Sequence, residues 1–151
     1  MPLVAVVLGS KTDLPLMQPA LDALEQLGIE YELAILSAHR QPERAREFGL
    51  RARERGLEVI IAGAGGAAHL PGVMASWTTL PVIGVPLATS ALNGVDALHS
   101  VVQMPSGVPV ACVAVNGAAN AAYLAAQILG LRHEAIREAY ERVRQEMAEG
   151  V

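Results

Sequence analysis

Val59-Ile60-Ile61-Ala62-Gly63-Ala64-Gly65-Gly66-Ala67-Ala68-His69-Leu70-Pro71-Gly72 reads as a buried strand that empties into a loop with almost no side chains. Four consecutive apolar residues lack the alternation of a half-wet strand. Runs of this kind belong to parallel sheets covered on both faces. The six residues that follow are glycine and alanine only, so a ligand can come close to their backbone amides. In open α/β sheets ligands bind at the strand carboxyl ends. The stretch therefore points to a fold class and to a small-molecule site, with His69 as the titratable group it supplies.

The pattern repeats outward from there. Apolar runs at 3–8, 31–36, 81–85 and 108–115 have strand length and, with 58–62, predict about five strands. Segments of helix length alternate with them at 13–27, from Pro42 to Gly56, at a short stretch after Pro71, and at 117–129. An amphipathic charged helix at 132–149 closes the chain, placed to pack on a neighbouring subunit. Gly28 suits the end of the first helix and Pro42 the first turn of the second. Pro19 falls inside the first helix and requires a kink or a late start. Strand–helix alternation with doubly apolar strands predicts a single domain over 1–151, a three-layer α/β/α sandwich around a parallel sheet.

Composition narrows the function. The chain has 151 residues, a net charge of −4 and a pI near 5.5, so it lacks the basic excess that nucleic-acid binding requires. One cysteine, Cys112, lies in an apolar run and reads as an inert core thiol in a reducing compartment. The first residues enter a strand at once, without a leader pattern, so a cytoplasmic location is expected. Of the 26 charged residues, only Asp96 lies between 59 and 131. Glycine, proline, asparagine and glutamine break that stretch too often for a membrane span. A chain this small has too much surface to bury half its sequence alone, so a homo-oligomer is expected.

Three strand-end loops carry the chemistry-bearing residues: Ser10, Thr12 and Asp13 after strand one; Ser37, His39 and Arg40 after strand two; and 63–69 after strand three. Thr12 or Asp13 also suits a helix cap, and Ser37 a local loop hydrogen bond. Their convergence on one sheet edge fits an anion carrying a hydroxylated ring. Arg40 offers a bidentate fork for phosphate, Asp13 an acceptor for a diol, and His39 a proton carrier near neutrality. No His/Cys/Asp cluster has metal-ligand spacing, and neither a Walker loop nor a dinucleotide fingerprint follows strand one. The charges of the second helix read as a solvated face with i,i+4 pairs. His133 and His99 read as surface or interface residues.

Gly9-Ser10-Lys11-Thr12-Asp13, Ser37-Ala38-His39-Arg40, the 63–72 run, Pro81-Val82-Ile83-Gly84-Val85-Pro86 and Val102-Gln103-Met104-Pro105 followed by Gly107-Val108-Pro109-Val110 resemble the PurE family of N5-carboxyaminoimidazole ribonucleotide mutases. The motifs stand in order over roughly 3–130. The resemblance implies a flavodoxin-like sandwich assembled as an octamer. It implies interconversion of the N5-carboxylated and 4-carboxylated aminoimidazole ribonucleotides in purine biosynthesis, with no metal or organic cofactor. On this reading His39 is the general acid/base. Ser10, Thr12, Asp13, Ser37 and Arg40 bind ribose and phosphate, and Ala64, Gly65, Ala67, His69 and Leu70 hold the base and the migrating carboxylate. Thr12 for serine, Gln41 for threonine, Asn93, His99 and a shorter stretch at Asn116 depart from the family pattern. Direct carboxylation of aminoimidazole ribonucleotide is the alternative reaction, and a non-catalytic flavodoxin-like nucleotide-binding module the alternative class.

Overall fold

A computed structural model describes residues 1–150. Its strands are β1 (Val4–Leu8), β2 (Tyr31–Ile35), β3 (Val59–Gly65), β4 (Val82–Leu87) and β5 (Ala111–Cys112). Its helices are α1 (Leu14–Gln26), α2 (Pro42–Arg51), α3 (Leu70–Trp77), α4 (Val95–Val102), α5 (Ala118–Leu129) and α6 (Glu134–Gly150). All strand pairs are parallel and the order is β2-β1-β3-β4-β5. The expected three-layer sandwich with five strands is what the chain forms.

Alternate strand residues divide into two cores. Val4, Val6, Leu8, Val59 and Ile61 point to the face covered by α1, α5 and α6. Ala5, Val7, Ile60, Ala62 and Ala64 point to the face covered by α2, α3 and α4. Both faces of β1, β3 and β4 are therefore dry, which is why their sequences are continuous apolar runs rather than alternating ones. No helix among the described residues is long and apolar enough to cross a membrane.

Four local expectations change. β3 continues to Gly65, because Ala64 and Gly65 pair with Pro86 and Leu87 of β4; the bare loop starts only at Gly66. β5 is two residues long instead of eight, an edge strand paired only with Ile83 and Gly84. α4 occupies a stretch that sequence periodicity left unassigned. α1 runs unbroken through Pro19 from Leu14, so the proline's missing N–H is absorbed inside the helix. Cys112 is half-buried, and burial pushes its thiol above the usual value, as suits an inert group.

Candidate active site

The chain passes from β1 to β2 on one side and returns to β3 on the other, so the loops after β1 and β3 part at the carboxyl edge. That divergence makes a crevice in which α/β sheets bind ligands. Here it is a cavity of about 440 Å3. Ser10, Thr12, Asp13, Ser37, His39, Arg40, Ala64, Gly65, Ala67, His69 and Leu70 all line it, so the three loops expected to meet do meet. Gly9, Ala38 and Thr89 line it as well and were not anticipated. Gly9 and Ala38 carry no distinctive side chain. Thr89 was findable by extending the strand-end rule to the fourth strand, since it lies two residues past β4.

The β1 loop is a single 3-10 turn, Lys11–Asp13, held by its own side chains. Ser10 Oγ accepts from the Thr12 backbone N–H at 3.2 Å and lies 2.9 Å from Thr12 Oγ1. Ser10, rather than Thr12 or Asp13, is thus the capping residue. Asp13 at the start of α1 makes no capping bond, and it is the buried charged side chain of the site. Burial pushes its carboxyl above the ordinary value, with partial relief from a hydrogen bond with the Ser10 backbone.

The β2 loop is wound by equally local bonds. Ser37 Oγ accepts from the Arg40 backbone N–H at 3.0 Å. Gln41 Oε1 accepts from the Ser37 N–H at 3.3 Å, and the Gln41 N–H returns to Ser37 O at 2.8 Å. The amide at position 41 thus splints the turn that carries His39 and Arg40. Arg40 makes no ion pair among the described residues and is exposed beside the cavity.

The third wall is the glycine run, and its glycines are bare for different reasons. A Cβ at Gly63 would lie 2.7 Å from Met17 Sδ, so this glycine serves packing against α1. A Cβ at Gly65 would lie 1.8 Å from Thr89 Oγ1. Gly66 turns the chain out of β3 at φ +59°, where a side chain is strained and nothing else is near. His69 precedes the first turn of α3 and reaches back across the crevice. Its Nδ1 is 2.6 Å from His39 Nε2, with the rings nearly perpendicular at 85° and their centroids 4.8 Å apart. One of those nitrogens donates and the other accepts.

His133, expected at the surface, instead brings Nε2 to within 3.1 and 3.0 Å of the two Glu58 carboxylate oxygens at the far, amino-terminal edge of the sheet. It is half-buried and takes no part in the site. His99 is exposed on α4, also away from the cavity.

The chain is similar to known proteins along nearly its whole length. The chain is 58% identical over 146 residues to the N5-carboxyaminoimidazole ribonucleotide mutase of Pyrococcus horikoshii, covering 97% of this chain and 82% of the relative. It is 58% identical to the mutase of the same name from Thermotoga maritima, covering 99% and 90%. The crystal structure of Treponema denticola PurE superposes with a TM-score of 0.88 at 28% identity, covering 99% of this chain and 93% of that one. The family model described as AIR carboxylase matches residues 3–150, and the chain belongs to that family.

Proposed function

We propose that this protein is the mutase that moves the carboxyl group of N5-carboxyaminoimidazole ribonucleotide from the exocyclic nitrogen to ring carbon 4, in purine biosynthesis. The observation that carries the reading is one cavity with an anion-reading end and an uncharged amide wall, bridged by two imidazoles. Arg40 takes the phosphate by its fork, with the hydroxyls of Ser10, Thr12 and Ser37 beside it. Asp13 accepts from the ribose diol. Ala64, Gly65, Ala67, His69 and Leu70 hold the base and the carboxyl group as it moves.

The chemistry needs little else. The carbamate C–N bond breaks, its electron pair stays on nitrogen, and carbon dioxide is released within the pocket. Nitrogen takes up a proton. Ring carbon 4 then attacks carbon dioxide through the ring π electrons and gives up its own proton. One proton is delivered and one removed, so a single acid/base group suffices, and His39 is that group. Charge and atoms balance without oxidant, reductant or nucleotide hydrolysis. A wall free of lysine and arginine between 59 and 131 offers the released carbon dioxide no amine to carbamylate.

The working form is a homo-oligomer, an octamer by family resemblance, in the cytoplasm. Leu92, Val95 and Val102 are 62, 54 and 47% exposed within the nearly uncharged middle of the chain. These side chains fit a neighbouring copy seated on α4. The activity is tested with purified protein by following aminoimidazole absorbance with each substrate. Turnover of the N5-carboxylated compound without added bicarbonate is expected. Faster turnover of aminoimidazole ribonucleotide plus carbon dioxide would replace the mutase by a direct carboxylase.

A further inference from the structure

Thr89 is the pocket residue with a polar side chain to which neither the residue chemistry nor the family reading gives a role. It stands two residues past β4, exposed, with its side chain directly over the α-carbon of Gly65. The other pocket hydroxyls are engaged within the protein: Ser10 with Thr12, and Ser37 with the Arg40 N–H. Ser90 next to it donates to Asp96 at 2.6 Å. No protein group among the described residues takes up the Thr89 hydroxyl, although its backbone N–H is fixed on Leu87 O at 3.1 Å.

The segment carrying it is also clamped. Asn116, in the left-handed conformation at φ 58°, accepts from the Ala88 N–H through Oδ1 at 2.9 Å. Its own N–H bonds Pro86 O at 2.8 Å. The stretch at Asn116 therefore braces the backbone of the turn after β4 from behind, next to Thr89. Gly65, in turn, is bare because this hydroxyl occupies the place its Cβ would take.

Strand order locates the ligand group that Thr89 meets. Arg40 follows β2 and Thr89 follows β4, which are three inter-strand spacings apart, or roughly 14 Å. Phosphate at Arg40 puts Thr89 at the opposite end of the ligand, beside the glycine wall. We propose that Thr89 is a specificity residue whose hydroxyl donates a hydrogen bond to the carboxylate on ring carbon 4. This assignment rests on the mutase reading given above. A neutral donor suits the place, because it recognises the carboxylate without offering an amine to carbon dioxide.

The test compares binding of the 4-carboxylated ribonucleotide with binding of aminoimidazole ribonucleotide, which lacks only that group, by calorimetry. Thr89→Val, which is nearly isosteric, is expected to lose about tenfold in affinity for the carboxylated ligand and less than about twofold for the other. Thr89→Ser, which keeps the hydroxyl, is expected to restore the ratio. Equal losses for both ligands, or no loss for either, would overturn the assignment. A wild-type enzyme that binds both ligands yet fails to turn over the N5-carboxylated substrate would overturn the mutase reading instead.

Discussion

Asp13 shows what the site costs the fold. Its folded-state pKa is raised, so its contribution to stability is favourable below the unfolded value near 3.9 and is lost as pH rises through the folded one. At neutral pH the buried carboxylate is therefore a net burden. Asp13→Asn should melt a few degrees higher than wild type at pH 7 and lose that advantage as the pH falls below about 4. Substrate affinity should drop on the order of tenfold to a hundredfold, the loss of a charged acceptor. His39→Asn should still bind substrate but lose about a hundredfold to ten-thousandfold in turnover, the usual share of general acid–base catalysis. Residues of distinctive chemistry at strand ends were legible in the sequence, since Asp, His and Arg announce themselves. Thr89 was legible only as a position just past a strand, and a threonine there is ordinary until the neighbouring glycine shows what it makes room for. The Glu58–His133 contact, which joins positions 75 apart in the chain, was not legible.

At the scale of elements, packing overrides propensity between α2 and α3. Alanine for glycine inside a helix ordinarily gains up to about 1 kcal/mol. At Gly49, however, a Cβ would lie 2.6 Å from the Trp77 Cβ, an atom fixed to the backbone of α3. Overpacking of that kind costs about 1–3 kcal/mol, so Gly49→Ala should be net destabilising by up to about 2 kcal/mol in chemical denaturation. The sequence patterns of β1, β3, α1 and α5 were readable because each is long or apolar on every side that packs. α4 and β5 were not: an eight-residue helix has only about two turns in which to show its period. The edge strand pairs at two residues even though its apolar run is longer.

For the whole molecule, the charge map and the layer structure say the same thing. Charged residues crowd α2 and α6, while β3 through α5 contain one. The proposed assembly places a second copy over the exposed apolar residues near α4. Sedimentation should give a mass several times 15.8 kDa for the wild type. The double variant Leu92→Glu, Val95→Glu should shift toward the single-chain mass, and an unchanged mass would place the contact elsewhere. The three-layer architecture followed from the sequence because periodicity fixes layers. The assembly is a matter of surfaces, and strand and helix periods do not report on those.

The contact between His39 and His69 has a consequence in the counting of hydrogens. When both imidazoles are neutral they carry two N–H groups on four nitrogens, and one of those hydrogens lies in the 2.6 Å contact. The outward nitrogens, Nδ1 of His39 and Nε2 of His69, must then be in opposite states, one bare and one carrying hydrogen. A proton arriving at whichever of them is bare can leave from the other by a shift across the contact, with neither ring turning. The pair is thus a two-ended wire running from the β2 loop to the β3 loop. Nitrogen-15 spectra of the unliganded protein should show the two rings in the same tautomer, both Nε2–H or both Nδ1–H, because the contact joins Nε2 of one ring to Nδ1 of the other, and His69→Phe should leave His39 free to choose either.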